Sequence, residues 1–197
     1  LAAAYEEIRI LNDQLEEENL RMGAELDVSR RIQQMVLPSP QELCQIPDLD
    51  IVGYMQPADE VGGDYYDVLV HNGVIHIGIG DVTGHGLESG ILMLMTQTAI
   101  RTLIEHGETD LIKFVNTLNS TIYKNVRRMG ADKTLTFALI NYANGQLKLV
   151  GQHEELLVVR HGGVVERVDT LHLGFPIGLE EEIAKWVTTA TFSLEAG

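Results

Sequence analysis

The chain has 197 residues, 45% of them hydrophobic, and its 29 acidic residues outnumber 14 basic ones to give a formal net charge of −15. This length predicts one domain of ordinary size with an additional segment. Such an excess of negative charge argues against a nucleic-acid or anionic-lipid partner. No apolar run reaches the roughly 18–20 residues of a membrane-spanning helix. The single cysteine, Cys44, excludes an internal disulfide bond, and we expect a cytoplasmic location.

Residues 1–37 are predicted to form a coiled-coil helix that acts as a linker and dimerisation element. The stretch contains one glycine, Gly23, and apolar residues recur at steps of three and four. The predicted dimer seam consists of Ile8, Leu11, Leu15, Asn19, Met22 and Leu26. Two consecutive steps of four, Leu11 to Asn19, form a stutter that locally unwinds a coiled coil, and Asn19 would favour a dimer in one register. The alternative is a long helix packed against its own domain.

Pro38 and Pro40 end this helix, and residues 38–197 are predicted to form one α+β domain. The sequence patterns predict two helices, over 87–106 and 109–128. The Asn72-Gly73 pair is typical of a two-residue hairpin turn, and the last strands are expected to form an antiparallel meander beneath the helices. Strands are predicted over 50–58, 64–70, 74–82, 134–142, 146–152, 155–161, 164–168 and 186–194.

Two aspartates flank the strands that the Asn72-Gly73 turn joins. Asp64 follows Gly62-Gly63, and Asp81 follows Gly80; each alone would also suit a structural turn or a helix cap. Because a hairpin pairs its strands antiparallel, both carboxylates are expected at the same sheet edge. Adjacent carboxylates repel unless a cation or a proton lies between them. Carboxylates, carbonyls and waters are ligands for Mg²⁺ or Mn²⁺, so this edge is a candidate metal site.

The segments VGGDYYD (61–67) and GDVTGHG (80–86), followed by a long helix, closely resemble bacterial metal-dependent serine phosphatases of the protein phosphatase 2C-like superfamily. The nearest group is the sporulation and stress-response type that regulates sigma factors. Residues 27–38, 134–140 and 174–179 also match its pattern. The resemblance implies an antiparallel β-sandwich flanked by helices. Two further acidic motifs of the family would follow Gly197, so we expect a catalytic domain that lacks its C-terminal part.

Position by position, the resemblance implies that Asp81 bridges two Mn²⁺ or Mg²⁺ ions, with the Val82 carbonyl as a further ligand. Asp64 would act on the second ion directly or through water, which makes both aspartates candidate catalytic residues. A water activated between the ions would attack phosphorus in line, without a covalent enzyme intermediate. The residues expected to shape the loop or contact phosphate are Gly84, His85 and Gly86.

The chain departs from the family pattern at two places. Gly151-Gln152-His153-Glu154-Glu155 stands where the family usually has Ala-Gly-His followed by proline. Thr83 stands where the eukaryotic branch has a candidate general-acid histidine.

The hypothesis is metal-dependent hydrolysis of phosphoserine or phosphothreonine on a regulatory protein, with an anti-sigma-factor antagonist as the implied substrate. An upstream sensory domain would act through the coiled-coil helix. The alternative is a non-catalytic, phosphatase-like binding module that signals through coiled-coil dimerisation. Retention of Asp64 and Asp81 argues against this alternative, and the altered segment 151–155 argues mildly for it.

Overall fold

A computed structural model describes residues 2–55 and 62–195, without the side chains of residues 2–4, 24–30, 32 and 33. The helices are α1 (Ala2–Val36), α2 (Pro40–Leu43), α3 (Leu87–Glu105) and α4 (Leu111–Met129). The strands are β1 (Asp64–His71), β2 (Val74–Val82), β3 (Leu135–Ala143), β4 (Gln146–Gln152), β5 (Leu156–Val159), β6 (Val165–Val168) and β7 (Thr189–Ser193). A 3₁₀ turn covers Ala184–Trp186.

The main layer is an antiparallel five-stranded sheet of order β1-β2-β3-β4-β7. Because side chains alternate across a strand, Leu135, Phe137 and Leu139 all face α3 and α4 and form the main core with residues such as Phe114 and Leu118. The predicted α+β class, with an antiparallel sheet flanked by helices, is confirmed.

The predicted meander is wrong after β4. Strands β5 and β6 form a separate two-stranded sheet, and β7 pairs with β4 in their place. The hairpin packs Leu156 and Val168 against Ala138 and Leu149, on the face of the main sheet opposite the helices. Burying these apolar side chains on that face stabilises the hairpin there. The alternation of apolar residues in the sequence does not show whether a strand packs on the face of a sheet or pairs with its last strand.

The strand predicted over 50–58 is also wrong for residues 50–55, which are not in a strand; residues 56–58 lie outside the described part. Ile51 packs beside the buried residues Leu43 and Val68. A Cβ atom on Gly53 would lie 2.5 Å from the Tyr66 ring. The segment therefore lies over the face of the sheet opposite the helices instead of pairing with β1.

Helix α1 is continuous over almost all of the predicted coiled-coil segment. Every described side chain between residues 5 and 23 is exposed, including Ile8, Leu11, Leu15, Asn19 and Met22 of the predicted seam; the side chain of Leu26 lies outside the described residues. Residues 5–23 therefore do not pack against their own domain, whereas the alternative of a packed helix requires that they do. The coiled-coil dimer stays a prediction. Among the described residues, no helix is both long enough and apolar enough to cross a membrane.

Candidate metal centre and active site

The β1–β2 hairpin brings the two aspartates together as expected. Asn72 and Gly73 both adopt positive φ, 50° and 78°, as a two-residue hairpin turn of the I′ type requires. The register runs from His71 opposite Val74 to Asp64 opposite Asp81. Directly opposite residues point to the same face of a sheet. Both carboxylates therefore lie side by side on the face opposite the helices, at the edge of the sheet formed by the strand ends far from the turn.

The two carboxylates interact unfavourably in the absence of a cation. The pKa of Asp81 is raised, first by partial burial and then by the negative charge of Asp64, while His153 opposes the rise. A group whose charged form is destabilised in this way gains from a bound cation. The electrostatics of the edge therefore fit a site for positive charge.

The glycines before Asp64 serve a close approach between two backbone segments. A Cβ atom on Gly63 would lie 2.4 Å from the carbonyl oxygen of Val82. The Val82 N–H donates to the Gly63 carbonyl at 3.2 Å, and the Val82 side chain is buried in the main core. Only a residue without a side chain fits here, and the contact fixes the backbone on both sides of the carboxylate pair.

The loop from Thr83 to Gly86 connects Asp81 to α3. Gly84 and Gly86 have positive φ, 75° and 91°, and His85 is exposed. A Cβ on Gly84 would lie 2.8 Å from Lys133 Nζ, and the Lys133 ammonium donates to Ser89 Oγ of α3 at 3.1 Å. The loop thus lies beside the ammonium group of Lys133, a residue that no sequence pattern singles out.

The structure adds two polar residues to the same edge. Thr136 of β3 lies directly opposite Asp81, and His153 follows β4 immediately after Gln152, which pairs with Phe137. The His153 Nδ1 and Thr136 Oγ1 atoms are 2.8 Å apart. Burial lowers the pKa of His153, against the opposing effects of Glu154, Asp81 and Asp64.

The donor set suits a hard divalent cation. Among the described residues, no group of three or more His, Cys, Asp or Glu side chains has the geometry to hold a metal ion. Mg²⁺ commonly keeps several waters and binds through only one or two carboxylates, which Asp64 and Asp81 supply at an edge that solvent reaches. Zinc sites instead use three or four protein ligands, most of them His nitrogen or Cys sulfur. The residues present therefore fit Mg²⁺ or Mn²⁺.

A cavity of about 510 Å³ lies on the face opposite the helices, next to this edge. Asp64, Tyr66, His153 and Thr170 all line it, together with the segment 51–55. Its volume falls within the range of small-molecule sites. The carboxylate pair thus adjoins a space that can admit a phosphorylated side chain.

Comparison with known proteins places the chain in a family. Residues 71–197 match the family described as Stage II sporulation protein E (SpoIIE). The chain is 30% identical to the phosphoserine phosphatase RsbU of Bacillus subtilis over 141 residues, covering 71% of this chain and 38% of that protein. It is 27% identical to the protein IcfG of Synechocystis sp. over 176 residues, covering 73% of this chain and 27% of that protein. The chain thus spans less than two fifths of the length of either curated relative.

Among solved structures, the chain resembles the SiaA-PP2C domain of Pseudomonas aeruginosa, with a TM-score of 0.67 at 21% identity, over 90% of this chain and 69% of that one. At this identity the likeness concerns the fold. The RsbU and RsbW domains of Rv1364c from Mycobacterium tuberculosis align with a TM-score of 0.52 at 21% identity, over 68% of this chain and 36% of that one. The match over residues 71–197 shows that this chain belongs to the Stage II sporulation protein E (SpoIIE) family.

Proposed function

We propose that the protein containing this chain is a metal-dependent phosphatase that removes phosphate from phosphoserine or phosphothreonine of a regulatory protein. The observation that carries the proposal is the direct pairing of Asp64 with Asp81 at a solvent-accessible sheet edge. Family membership and the similarity to a phosphoserine phosphatase support it.

Asp64 and Asp81 would hold Mn²⁺ or Mg²⁺, with the Val82 carbonyl as a further ligand and two ions at the site. A bound cation would supply Lewis-acid chemistry that neutralises the charge developing on the phosphoryl oxygens. The chain's own residues fix the carboxylates through the Gly63–Val82 contact. The loop residues Gly84, His85 and Gly86 would border the phosphoryl group. Because phosphoryl transfer depends on positioning and electrostatics, the side chains of Asp64, Asp81 and His85 need form no covalent bond to the substrate.

The proposed substrate is a phosphorylated anti-sigma-factor antagonist, and it rests on the resemblance to stress-response phosphatases. Residues 38–197 would form the catalytic unit, and residues 1–37 would link it to an upstream sensory domain in a cytoplasmic protein. Helix α1 supports this division because it contacts α3, and Val36, its last residue, packs against the main core. Helix α3 in turn follows the loop after Asp81, so a rotation of α1 would reach the site through α3.

The proposed homodimer uses the exposed seam of α1. We expect residues 1–197 to sediment as a dimer, and Leu15→Lys to shift the species toward monomer because it places a charge in an apolar seam. The matched control is Glu17→Lys, which alters charge on the same helix outside the seam. A wild-type chain that stays monomeric at high concentration would refute the dimer.

The activity test uses the full-length protein, Mn²⁺ and a phosphoserine peptide. We expect phosphate release that requires Mn²⁺ and falls at least a hundredfold in Asp81→Asn, because a lost metal ligand removes several kcal/mol of transition-state stabilisation. The alternative is the non-catalytic binding module signalling through dimerisation. It predicts that the wild-type protein and Asp81→Asn bind the peptide equally and that neither releases phosphate.

A further inference from the structure

The aspartate pair belongs to a longer row of polar residues that crosses four neighbouring chain segments. Asp64 of β1 lies opposite Asp81 of β2, and Asp81 lies opposite Thr136 of β3. Continuing the β3–β4 register one residue beyond the Phe137–Gln152 pair places His153 opposite Thr136. The 2.8 Å contact between their side chains shows that this continuation holds. All four side chains therefore lie on the same face of the sheet, at the same edge.

The backbone at the end of this row is held on several sides. Thr170, which is 2% exposed, accepts a hydrogen bond from the His153 N–H at 3.0 Å and donates to the His153 carbonyl. Gly151 has a φ of 93°, and a Cβ there would lie 2.2 Å from the Phe137 carbonyl. The Gly151 N–H donates to the Leu173 carbonyl at 3.0 Å. His153 is thus fixed in place by buried partners, although it lies outside the regular strand.

The two ring nitrogens of His153 differ in their hydrogen bonding. Nδ1 is engaged by Thr136, while Nε2 makes no hydrogen bond within the part of the chain that the structure describes. His153 lines the same cavity as Asp64. Adjacent strands are about 4.8 Å apart, so the backbone of His153 lies about 10 Å from that of Asp81 across two strand spacings. Their side chains stand on the same face of the sheet, with that of Thr136 between them.

We propose that His153 is a substrate-contacting residue, whose imidazole Nε2 hydrogen-bonds a phosphoryl oxygen of the phosphoserine held next to Asp64 and Asp81. Thr136 is a positioning residue that orients the ring through Nδ1, and Thr170 is a positioning residue that holds the backbone. The inference rests on the proposed phosphatase function. It also gives a role to the segment 151–155, which departs from the family pattern around this histidine. A donor at this point would bind both the substrate and the product phosphate.

The test compares variants of the full-length protein with Mn²⁺, a phosphoserine peptide as substrate and inorganic phosphate as inhibitor. A hydrogen bond to a charged group is lost in His153→Ala, so we expect KM for the peptide and the inhibition constant of phosphate to rise about ten- to hundredfold. Mn²⁺ affinity, measured by calorimetry, should stay within about twofold of wild type because the imidazole is not a ligand. The control His161→Ala removes an exposed imidazole and should change none of these values.

Thr136 gives a second, milder probe that separates positioning from folding. Thr136→Val keeps the shape but removes the hydroxyl that contacts Nδ1, and we expect it to weaken phosphate inhibition about threefold to tenfold. Thr136→Ser retains the hydroxyl and should restore wild-type inhibition. A merely structural role would lower the melting temperature of both variants without separating them in phosphate binding.

Three results would overturn the inference. The first is an unchanged phosphate inhibition constant in a folded His153→Ala. The second is loss of Mn²⁺ binding in that variant, which would make His153 part of the metal centre. The third is an equal phosphate inhibition constant in Thr136→Val and Thr136→Ser. If the wild-type protein releases no phosphate from the peptide, the proposed function fails. Mn²⁺-dependent binding of inorganic phosphate, compared by calorimetry in wild type and His153→Ala, then still decides the contact.

Discussion

The ion pair between Asp67 and Arg101 attaches α3 to β1, three residues along the strand from Asp64. The Asp67 side chain is 1% exposed, and Arg101 Nε donates to its Oδ2 at 2.9 Å; Nη2 donates to Oδ1 at 3.2 Å. The pKa of Arg101 is raised by its hydrogen bond to Asp67. In Arg101→Met the aliphatic stem is largely kept, but among the described residues the buried Asp67 carboxylate retains only the Val68 N–H, at 2.9 Å.

Removing one partner of a buried ion pair costs about 3–5 kcal/mol. The Arg101 side chain is 43% exposed, so solvent screens one end of the pair. We therefore expect the lower limit, a loss of about 3 kcal/mol in the free energy of unfolding. For a chain of this size that corresponds to a fall of about 6–12 °C in melting temperature. Asp67→Leu combined with Arg101→Met should recover part of the loss, because no unpaired charge remains.

The assay is urea unfolding followed by circular dichroism, with Arg167→Met as the matched control. Arg167 Nη1 lies 2.8 Å from Glu155 Oε2, and the side chains are 70% and 46% exposed. An exposed pair contributes under about 1 kcal/mol, although its contact is no longer than that of Arg101. Equal losses of unfolding free energy in Arg101→Met and Arg167→Met would show that burial does not determine the contribution of an ion pair here.

Three further predictions concern the core, the pH response and the strand contact. The fully buried Asn119 side chain donates to the Glu180 and Glu181 carbonyls and accepts from the Gly178 N–H. Asn119→Ala should therefore lower the unfolding free energy by about 2–4 kcal/mol in urea titrations. A loss below about 1 kcal/mol would contradict this prediction. Burial lowers the pKa of His76, so the unfolded chain binds the proton first. Stability measured by urea unfolding should therefore fall as the pH drops through about 6.5, and His76→Gln should flatten that dependence. Gly63→Ala should weaken Mn²⁺ binding at least about tenfold by displacing Val82, whereas Gly23→Ala, with no atom within 4 Å of its added Cβ, should leave Mn²⁺ affinity unchanged.

Local patterns predicted most of the elements that position the site. The Asn72-Gly73 turn determines the β1–β2 register, so the meeting of Asp64 and Asp81 follows from counting residues away from the turn. Helix α4 likewise begins after Asp110, whose carboxylate accepts hydrogen bonds from the N–H groups of Ile112 and Lys113. In such cases the signal lies within a few residues of the structure that it determines.

The remaining site depends on contacts between distant segments. The Asn144-Gly145 turn alone would place Thr136 opposite His153, because both are equally far from it along their strands. However, the pairing of Thr136 with Asp81 joins β2 to β3 across two helices, and no turn sets that register. The strand prediction is wrong for residues 50–55 for a similar reason. Gly53 packs on the Tyr66 ring, a contact that only the folded sheet creates.

Mn²⁺ binding by the full-length protein shows whether Asp64 and Asp81 together form a metal centre. Calorimetric titration should show Mn²⁺ binding by the wild-type protein and by Asp13→Asn, a control that alters an exposed carboxylate on α1. In Asp81→Asn and Asp64→Asn the affinity should fall at least about tenfold, because each removes one of two charged ligands. Mn²⁺ binding of equal affinity and stoichiometry in wild type and Asp81→Asn would mean that Asp81 is not a metal ligand.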